Sequence, residues 1–310
     1  MNNNTKTAHI SSKTPNHWNL DAPQIYARWR ENKLRQSQEM ANAESLVIRN
    51  LAKPDENEMR ALIESCAKTN MALYEAPNAA DQHPDDTRLA LRSFSEQMDL
   101  KMAEDHRSAG KNGVVALTVS EAPSQRGYLP YSQRPMNWHT DGYYNAPDQQ
   151  IRAMVLHCVN PARSGGQNQF LDCEIAYIRL RDHNPAFIHA LMHPQAMTIP
   201  ENKTDDGEFR PASIGPVFSV DKNNHLAMRY TARTRSITWR QDEDTQAAVQ
   251  FLQNLLENGD PFTKTATLKA GQGILCNNSL HNRTGFDPEK DRSSDRLMFR
   301  IRFHNRVKGT

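Results

Sequence analysis

Two imidazoles and one carboxylate in this chain have the residue types and spacing of a metal-binding set. His139 and Asp141 lie two residues apart in the segment MNWHTDGYYN at 136–145, and on a strand that spacing places both side chains on one face. His281 follows the apolar run GILC at 273–276 and the residues NNSL. Two imidazoles and a carboxylate hold Fe(II) on one side and leave its other positions open, as an oxygen-binding iron requires. The three residues therefore predict a facial iron site.

Each half of this set also has an ordinary explanation when it is taken alone. The tripeptide His-x-Asp occurs by chance in many sequences. The chain has 12 histidines, and a single one such as His281 is more often hydrogen-bonded inside a fold than bound to a metal. The basic strand that follows His281 is what favours the metal site.

That basic strand is RLMFRIRF at 296–303, in which apolar and polar residues alternate. Arg296, Arg300 and Arg302 share one of its two faces. An exposed edge strand with a solvated basic face is one interpretation. The other is an interior face that binds a carboxylate, because a guanidinium holds a carboxylate through paired, charge-assisted hydrogen bonds. Since Arg296 and Arg300 lie roughly 13 Å apart along a strand, we expect them to serve different groups.

Aromatic and amide side chains adjoin the predicted ligands. Trp138, Tyr143 and Tyr144 flank the first ligand pair, and aromatic faces near a metal bind cationic amines. Ordinary packing is the alternative. Tyr143 is the better pocket candidate, because it shares strand parity with the ligand pair if the strand continues that far. Asn137 and Asn277 are each next to or near a ligand in sequence and are candidates to orient it.

A second group of arginines lies in MRYTARTRSITW at 228–239. Arg229, Arg233 and Arg235 stand close together there and either bind a carboxylate or sulfonate of the substrate or form a solvated basic loop. We take Arg229 and Arg233 as the substrate-binding candidates.

Strands predominate among the elements that must position these residues. Strand-like runs are found at 114–120, 151–159, 168–172, 215–220, 225–230, 273–277 and 296–303. Helical patterns interrupt them at about 173–193 and 242–257, and Asp242 or Asp244 is placed to cap the second. Short strands with helical insertions predict a mainly β (α+β), closed or sandwiched architecture and not alternating βαβ units.

The first third of the chain has a different character. Residues 1–20 are polar and lack apolar periodicity, which predicts a flexible tail. The rest, 21–112, is mixed, with strand patterns at 46–51 and 71–75 and helical patterns at 56–69 and 88–106. We therefore expect one domain over 21–310, in which the mixed part precedes a catalytic core at 113–306.

Composition excludes several classes of protein. The chain has 310 residues and a formal charge of +2, so no strong field attracts nucleic acid or an anionic membrane. No apolar run is long enough to span a bilayer, and the polar start has no signal-peptide core, which predicts a soluble, cytoplasmic protein. The four cysteines form no CxxC pair and are expected to be reduced, buried thiols.

The motifs, taken in order, resemble those of the taurine dioxygenase and γ-butyrobetaine hydroxylase (TauD/TfdA-like) superfamily of Fe(II)/2-oxoglutarate oxygenases. They are WHTDGYY at 138–144, SGGQNQFLD at 164–172, and NNSLHNRTGF at 277–286 leading to DRLMFRIRF at 295–303. The likeness covers roughly residues 113–306, and the combination is more specific than any single part. It implies a double-stranded β-helix, or jelly roll.

The resemblance also implies roles for individual residues. It assigns iron binding to His139, Asp141 and His281. It implies that Arg296 pairs with the C5 carboxylate of 2-oxoglutarate, that Asn168 helps to hold that carboxylate, and that Arg300 reaches the co-substrate or an anionic substrate. The loop before Arg296 is longer than in taurine dioxygenase, and Arg292 within it is a competing clamp.

The activity implied by the resemblance is the hydroxylation or related oxidation of a small polar metabolite. Fe(II), 2-oxoglutarate and O2 would be needed, and 2-oxoglutarate would leave as succinate and CO2. The substrate is expected to carry a carboxylate or an amine, and a homo-oligomer is expected from the family. Two alternatives stay open: a jelly-roll metalloprotein that uses a divalent ion without O2, and a small-molecule-binding relative without catalysis.

Overall fold

The structure is a computed structural model that describes residues 16–103, 113–120, 122, 125, 128–203, 209–233, 235–287 and 296–310. Within these residues the α-helices are α1 (Pro23–Ala41), α2 (Glu56–Thr69), α3 (Pro84–Gln97), α4 (Cys173–His183), α5 (Pro185–Leu191) and α6 (Glu243–Asn258). The strands are β1 (Leu46–Val47), β2 (Met71–Glu75), β3 (Val115–Leu117), β4 (Met136–His139), β5 (Ala153–Asn160), β6 (Asn168–Leu171), β7 (Met197–Ile199), β8 (Asn202–Lys203), β9 (Phe209–Arg210), β10 (Ser213–Gly215), β11 (Phe218–Val220), β12 (Leu226–Met228), β13 (Thr238–Trp239), β14 (Lys264–Ala266), β15 (Gln272–Cys276), β16 (Leu280–Arg283) and β17 (Leu297–Phe303).

Two sheets position the candidate site. The larger has six strands in the order β1-β2-β15-β5-β17-β3, and the smaller has four in the order β14-β6-β16-β4. Strands distant in sequence are therefore neighbours in each sheet, since β15 lies between β2 and β5, and β16 between β6 and β4. These long-range pairings bring residues near 139 and 281 into direct contact.

Strand β17 is an interior strand of the six-stranded sheet, with antiparallel partners β5 and β3 on its two sides. Its Phe299, Ile301 and Phe303 pack in an apolar core that includes buried residues of α2 and α3. The opposite face carries Arg300 and Arg302, which are only 8% and 4% exposed. The alternation in 296–303 is thus confirmed, and the solvated edge strand is the wrong interpretation of it.

Local sequence determines where the helices begin and end. The prediction of a helix over 56–69 is confirmed for α2, which Asp55 caps by accepting hydrogen bonds from the N–H groups of Asn57 and Glu58. The helix stops at Asn70, which adopts the left-handed conformation with φ 57°. Helix α6 begins directly after Asp242, whose side chain accepts a hydrogen bond from the Thr245 N–H. Of the two cap candidates, Asp242 and Asp244, Asp242 is therefore the N-cap.

The sequence pattern underestimated the helices. Helix α1 was not predicted from the sequence. Helix α3 begins at Pro84 and ends at Gln97, and both ends lie earlier than the pattern at 88–106 indicated. The described residues form a mixed α and β fold, and not a mainly β one. Amphipathic helices that cover a sheet leave a weaker sequence signal than the apolar runs of buried strands do.

Trp18 falls within the segment 1–20 that the sequence predicts to be a flexible tail. Residues 1–15 lie outside the described residues, but Trp18 is 6% exposed and packs edge-on against Tyr177 at 5.1 Å between ring centroids. Its indole N–H donates to the carbonyl of Asn224. The polar composition of residues 1–20 gave no indication that Trp18 would be buried.

Two smaller expectations concern cysteines and membranes. All four cysteines are free and buried, as predicted. No α-helix among the described residues is both long and apolar enough to cross a bilayer.

Candidate active site

The three predicted ligands meet in the structure. One potential ligand atom from each of His139, Asp141 and His281 lies within 4.8 Å of the other two, and all three residues are buried. The register of the four-stranded sheet causes this meeting, because His281 of β16 is the direct partner of His139 in β4. Their ring centroids are 4.2 Å apart. This convergence of two imidazoles and a carboxylate fits a divalent iron.

Both imidazoles are held so that the same nitrogen faces the centre. The Nδ1 of His139 lies 2.8 Å from the carbonyl oxygen of Asn137, and the Nδ1 of His281 lies 2.9 Å from that of Ser279. A carbonyl only accepts, so each Nδ1 must carry the proton and donate it. Each Nε2 is therefore left as a lone-pair donor for a metal. Asn137 orients its neighbour as the sequence suggested, but through its main chain.

Burial keeps these imidazoles neutral. Burial and, to a smaller extent, the neighbouring His281 lower the pKa of His139 to about 3, while the carboxylate of Asp141 acts in the opposite direction. Burial likewise lowers the pKa of His281, against the effect of Asp141. Neutral imidazoles at physiological pH are the form that binds a metal.

Asp141 reaches the site by a route that strand parity did not predict. Strand β4 ends at His139, and Asp141 stands in the turn that follows. The side chain of Asn278 holds this turn: its Oδ1 accepts from the Asp141 N–H at 2.8 Å, and its Nδ2 donates to the Asp141 carbonyl at 3.0 Å. The same Nδ2 donates to the carbonyl of Ile151 at 2.9 Å. One buried amide thus sets the backbone of the carboxylate ligand.

Asn277, the expected orienting residue, points elsewhere. Its Nδ2 donates to Asn70 Oδ1 and Thr310 Oγ1, and its Oδ1 accepts from the Val307 N–H. It joins the C-terminal segment to the residue before β2, and its side chain forms no hydrogen bond with the three predicted ligands. The sequence analysis proposed Asn277, whereas the next residue, Asn278, holds the backbone of Asp141.

The predicted carboxylate clamp, Arg296, is buried beside the ligand sheet. It is 8% exposed, its guanidinium lies 4.9 Å from the ring centroid of Phe286, and it forms no ion pair with a described residue. A Cβ placed on Gly166 would lie 3.5 Å from the Arg296 Nε, so the left-handed turn there (φ 68°) passes close to the guanidinium. Asn168, two residues further on, donates to the carbonyl of Asn282. Arg292 falls outside the described residues.

The second arginine of the segment lies at the candidate metal centre. Arg300 Nη1 is 3.3 Å from Asp141 Oδ1, and its Nε has no hydrogen-bond partner in the described part of the chain. The charge of Arg300 therefore lies directly beside the predicted ligand set. Arg302, the third, donates to the hydroxyl of Tyr144 at 3.0 Å.

The predicted pocket residues have different environments. The ring of Tyr143 stands edge-on to His139, with centroids 6.4 Å apart, although it belongs to the turn and not to the strand. Arg233 is exposed and lies 6.0 Å from the Tyr143 ring centroid. Arg229 is 3% exposed and donates to backbone carbonyls of Met197, Gly215 and Ser213. These contacts favour a structural role for Arg229 over the predicted substrate contact.

One basic residue near the site was not expected. Arg210, in the short strand β9, lies 5.9 Å from the ring centroid of Tyr144. Its segment is polar and without periodicity, and the nearest ligand in sequence is 69 positions away, from 141 to 210. No local pattern connects it with the site.

Comparison with known proteins agrees with this geometry. The family described as "Taurine catabolism dioxygenase TauD, TfdA family" matches residues 33–302, and the chain belongs to it. It is an Fe(II)- and 2-oxoglutarate-dependent dioxygenase, an oxidoreductase that acts on a small molecule.

Two curated relatives and two solved structures are similar to it. A uridine-5'-phosphate dioxygenase of Amycolatopsis sp is 29% identical over 234 residues, which are 68% of this chain and 78% of the relative. One of Streptomyces sp is 28% identical over 162 residues, 50% of this chain and 58% of the relative. The non-heme iron oxygenase OrfP with Fe and alpha-ketoglutaric acid has a TM-score of 0.59 at 17% identity, over 88% of this chain and 90% of its own. An asparagine oxygenase has a TM-score of 0.54 at 12% identity over 88% of this chain and 90% of its own.

Proposed function

We propose that His139, Asp141 and His281 hold the catalytic Fe(II) of this dioxygenase. The observation that carries the proposal is their convergence within 4.8 Å in a buried site. The two Nδ1 bonds support it, because they leave both Nε2 atoms available to one ion. Bound there with 2-oxoglutarate and O2, the iron would supply the oxidising power that no protein side chain has.

We assign the C5 carboxylate of 2-oxoglutarate to Arg296, with Asn168 as a helper. A buried cation without an anionic partner among the described residues is unfavourable by itself, and burial does lower the pKa of Arg296. A bound carboxylate would remove that penalty through paired hydrogen bonds. Phe286 packs on the guanidinium and limits where its donors can point. We assign to Arg300 the role of an anion contact nearer the metal, because it already faces Asp141.

The chain's own contribution to the reaction is position and exclusion of water. The three ligand residues are 5–8% exposed, so charges at the centre are screened less than at the surface. Arg296 fixes one end of the keto-acid, and the ligand sheet fixes the ion. The substrate must then enter beside Tyr143, the aromatic side chain that stands edge-on to His139.

We further propose that the six- and four-stranded sheets are the two layers of a double-stranded β-helix. The antiparallel neighbours and the interior position of β17 support this arrangement. The approach of Arg300 in one sheet to Asp141 beside the other is the contact expected between two such layers. The cytoplasmic location and a homo-oligomer stay predictions.

For the substrate we propose a nucleoside 5'-phosphate or a similar phosphate ester. Both curated relatives are named for uridine-5'-phosphate, and basic side chains stand near the site. A substrate with a carboxylate or an amine, the class expected from the sequence, remains the alternative.

The test of the metal assignment is Asp141→Ala. Anaerobic titration with Fe(II) and 2-oxoglutarate should give a visible charge-transfer band in the wild-type protein and none in the variant, and succinate formation should stop. Asp148→Ala, which changes an exposed carboxylate seven positions further on, is the matched control and should behave as wild type. Unchanged iron retention in Asp141→Ala would refute the assignment.

The assignment of the clamp is tested separately. Arg296→Ala should raise the 2-oxoglutarate requirement while iron binding persists. If Arg292→Ala has that effect instead, Arg292 is the clamp. A wild-type protein that forms no succinate with any substrate would support the alternative of a divalent-metal protein that does not use O2.

A further inference from the structure

Two arginines stand beside the pair of tyrosines next to the metal ligands. Arg233 lies 6.0 Å from the Tyr143 ring centroid, and Arg210 lies 5.9 Å from that of Tyr144. The two rings meet edge to face, with centroids 5.2 Å apart. Since Tyr143 is itself edge-on to His139 at 6.4 Å, one aromatic ring separates Arg233 from a metal ligand.

The position of Arg233 is fixed by the ligand strand. Thr231 forms an isolated antiparallel bridge with His139, and the Ala232 N–H donates to the carbonyl of Trp138 at 2.8 Å. Arg233 is the next residue, two positions after the direct partner of the first ligand. Arg210 comes from a different segment, where its guanidinium donates to the carbonyls of Pro200 and Pro211.

Neither guanidinium is neutralised within the described part of the chain. No described carboxylate forms an ion pair with Arg210 or Arg233. Arg233 stands beside the ring of Tyr143 and Arg210 beside the ring of Tyr144, so both cations lie at the tyrosine pair next to the metal site.

We propose that Arg210, Arg233 and the Tyr143 hydroxyl form the subsite that binds the phosphate group of the substrate. A carboxylate is satisfied by the two parallel donors of one guanidinium, whereas a phosphate monoester offers three oxygens and close to two charges. Two guanidinium groups from separate segments, together with the Tyr143 hydroxyl as a further donor, match the second set. The inference rests on the proposed function and adds to it the residues that select the substrate.

Binding of uridine-5'-phosphate and of uridine tests this subsite. Calorimetry is done anaerobically with the Fe(II) and 2-oxoglutarate complex of the full chain, so that the co-substrate site is filled. Wild type should bind the phosphate ester at least about 10-fold more tightly than uridine, since each charge-assisted hydrogen bond contributes roughly 1.5–3 kcal/mol, a factor of about 10–100. Inorganic phosphate should compete with the ester.

Single variants then locate the phosphate. Arg233→Ala and Arg210→Ala should each weaken binding of uridine-5'-phosphate about 10- to 100-fold and leave uridine binding unchanged. Arg240→Ala, which removes another exposed arginine of the same region, is the matched control and should bind as wild type. A fall in affinity for both compounds alike would indicate disturbed structure and not a phosphate contact.

Three results would overturn the proposal: equal affinity of wild type for both compounds, no loss in either variant, or no binding of the ester or of inorganic phosphate. The charge-transfer band of the Fe(II) and 2-oxoglutarate complex separates this failure from a wider one. If the band forms and phosphate has no effect, only the subsite is wrong. If the band is absent in wild type, the proposed function fails as well.

Discussion

Replacement of Asn278 by alanine tests how the carboxylate ligand is positioned. The Asn278 side chain is 6% exposed and makes three hydrogen bonds, two with the backbone of Asp141 and one with the carbonyl of Ile151. Its backbone adopts φ 51°, which asparagine tolerates better than alanine. Alanine therefore loses the bonds and gains strain at the same position.

The expected magnitude follows from these contacts. Three lost hydrogen bonds at about 1 kcal/mol each and about 1 kcal/mol of backbone strain predict that Asn278→Ala lowers the free energy of unfolding by about 4 kcal/mol. The turn that carries Asp141 also loses both hydrogen bonds from the Asn278 side chain to the Asp141 backbone. Residues that support a ligand in this way typically change metal affinity by about 10–100-fold, and we expect that loss of Fe(II) affinity.

The chain offers a matched control in the adjacent residue. Asn277 is 7% exposed and also makes three side-chain hydrogen bonds, but to Asn70, Thr310 and Val307. Asn277→Ala should lower the urea midpoint by a comparable amount without changing the Fe(II) dissociation constant measured anaerobically. The reasoning is refuted if both variants lose iron affinity equally, or if Asn278→Ala keeps wild-type affinity while its unfolding free energy falls.

Three further perturbations have defined outcomes. Arg296→Lys keeps the charge but loses the paired donors, so the KM for 2-oxoglutarate should rise about 10-fold or more in a succinate assay, and an unchanged KM would remove Arg296 from the clamp. Burial lowers the pKa of His157 to about 4 in the folded chain, whereas an unfolded chain has a histidine pKa of about 6.5. As the pH falls, the unfolded chain therefore protonates His157 before the folded chain does. Stability contributed by neutral His157 is then lost between about pH 6.5 and pH 4, by roughly 3 kcal/mol, and urea unfolding of His157→Gln should show a shallower pH dependence across that window; equal slopes would contradict this. Lys33 is 3% exposed and contacts the carboxylates of Asp172 and Glu174 at 2.6 Å each, so Lys33→Met should lower the free energy of unfolding by about 3–5 kcal/mol, and a thermal shift of only a degree or two would show that the carboxylates find another partner.

Much of the site follows from local sequence. A strict alternation such as that of 296–303 reports which residues share a face, and the structure confirms it because both faces of β17 are buried. The boundaries of α2 follow from Asp55, Glu58 and Asn70 for the same local reason, since capping depends on neighbours within a few positions. The residue types of the three predicted ligands, two imidazoles and a carboxylate, likewise limited the choice of metal ion to one such as Fe(II).

Register and burial were decided only in three dimensions. His281 faces His139 because β16 pairs with β4, and a pairing between strands 142 positions apart, from 139 to 281, leaves no local signal. Whether an arginine is solvated, structural or available to a ligand depends on the groups that surround it in the folded chain. Arg296 packs on the ring of Phe286, whereas Arg229 donates to the backbone carbonyl of Ser213.

The adjacent asparagines show the same division at the smallest scale. Asn277 and Asn278 have the same side chain and neighbouring positions, yet only Asn278 reaches the backbone of Asp141. The sequence determined that an amide is present beside the distal histidine. The left-handed backbone at Asn278 (φ 51°) and the turn after β4 decided which amide meets the ligand, because a hydrogen bond depends on the direction of its donors, and that direction is a property of the folded chain.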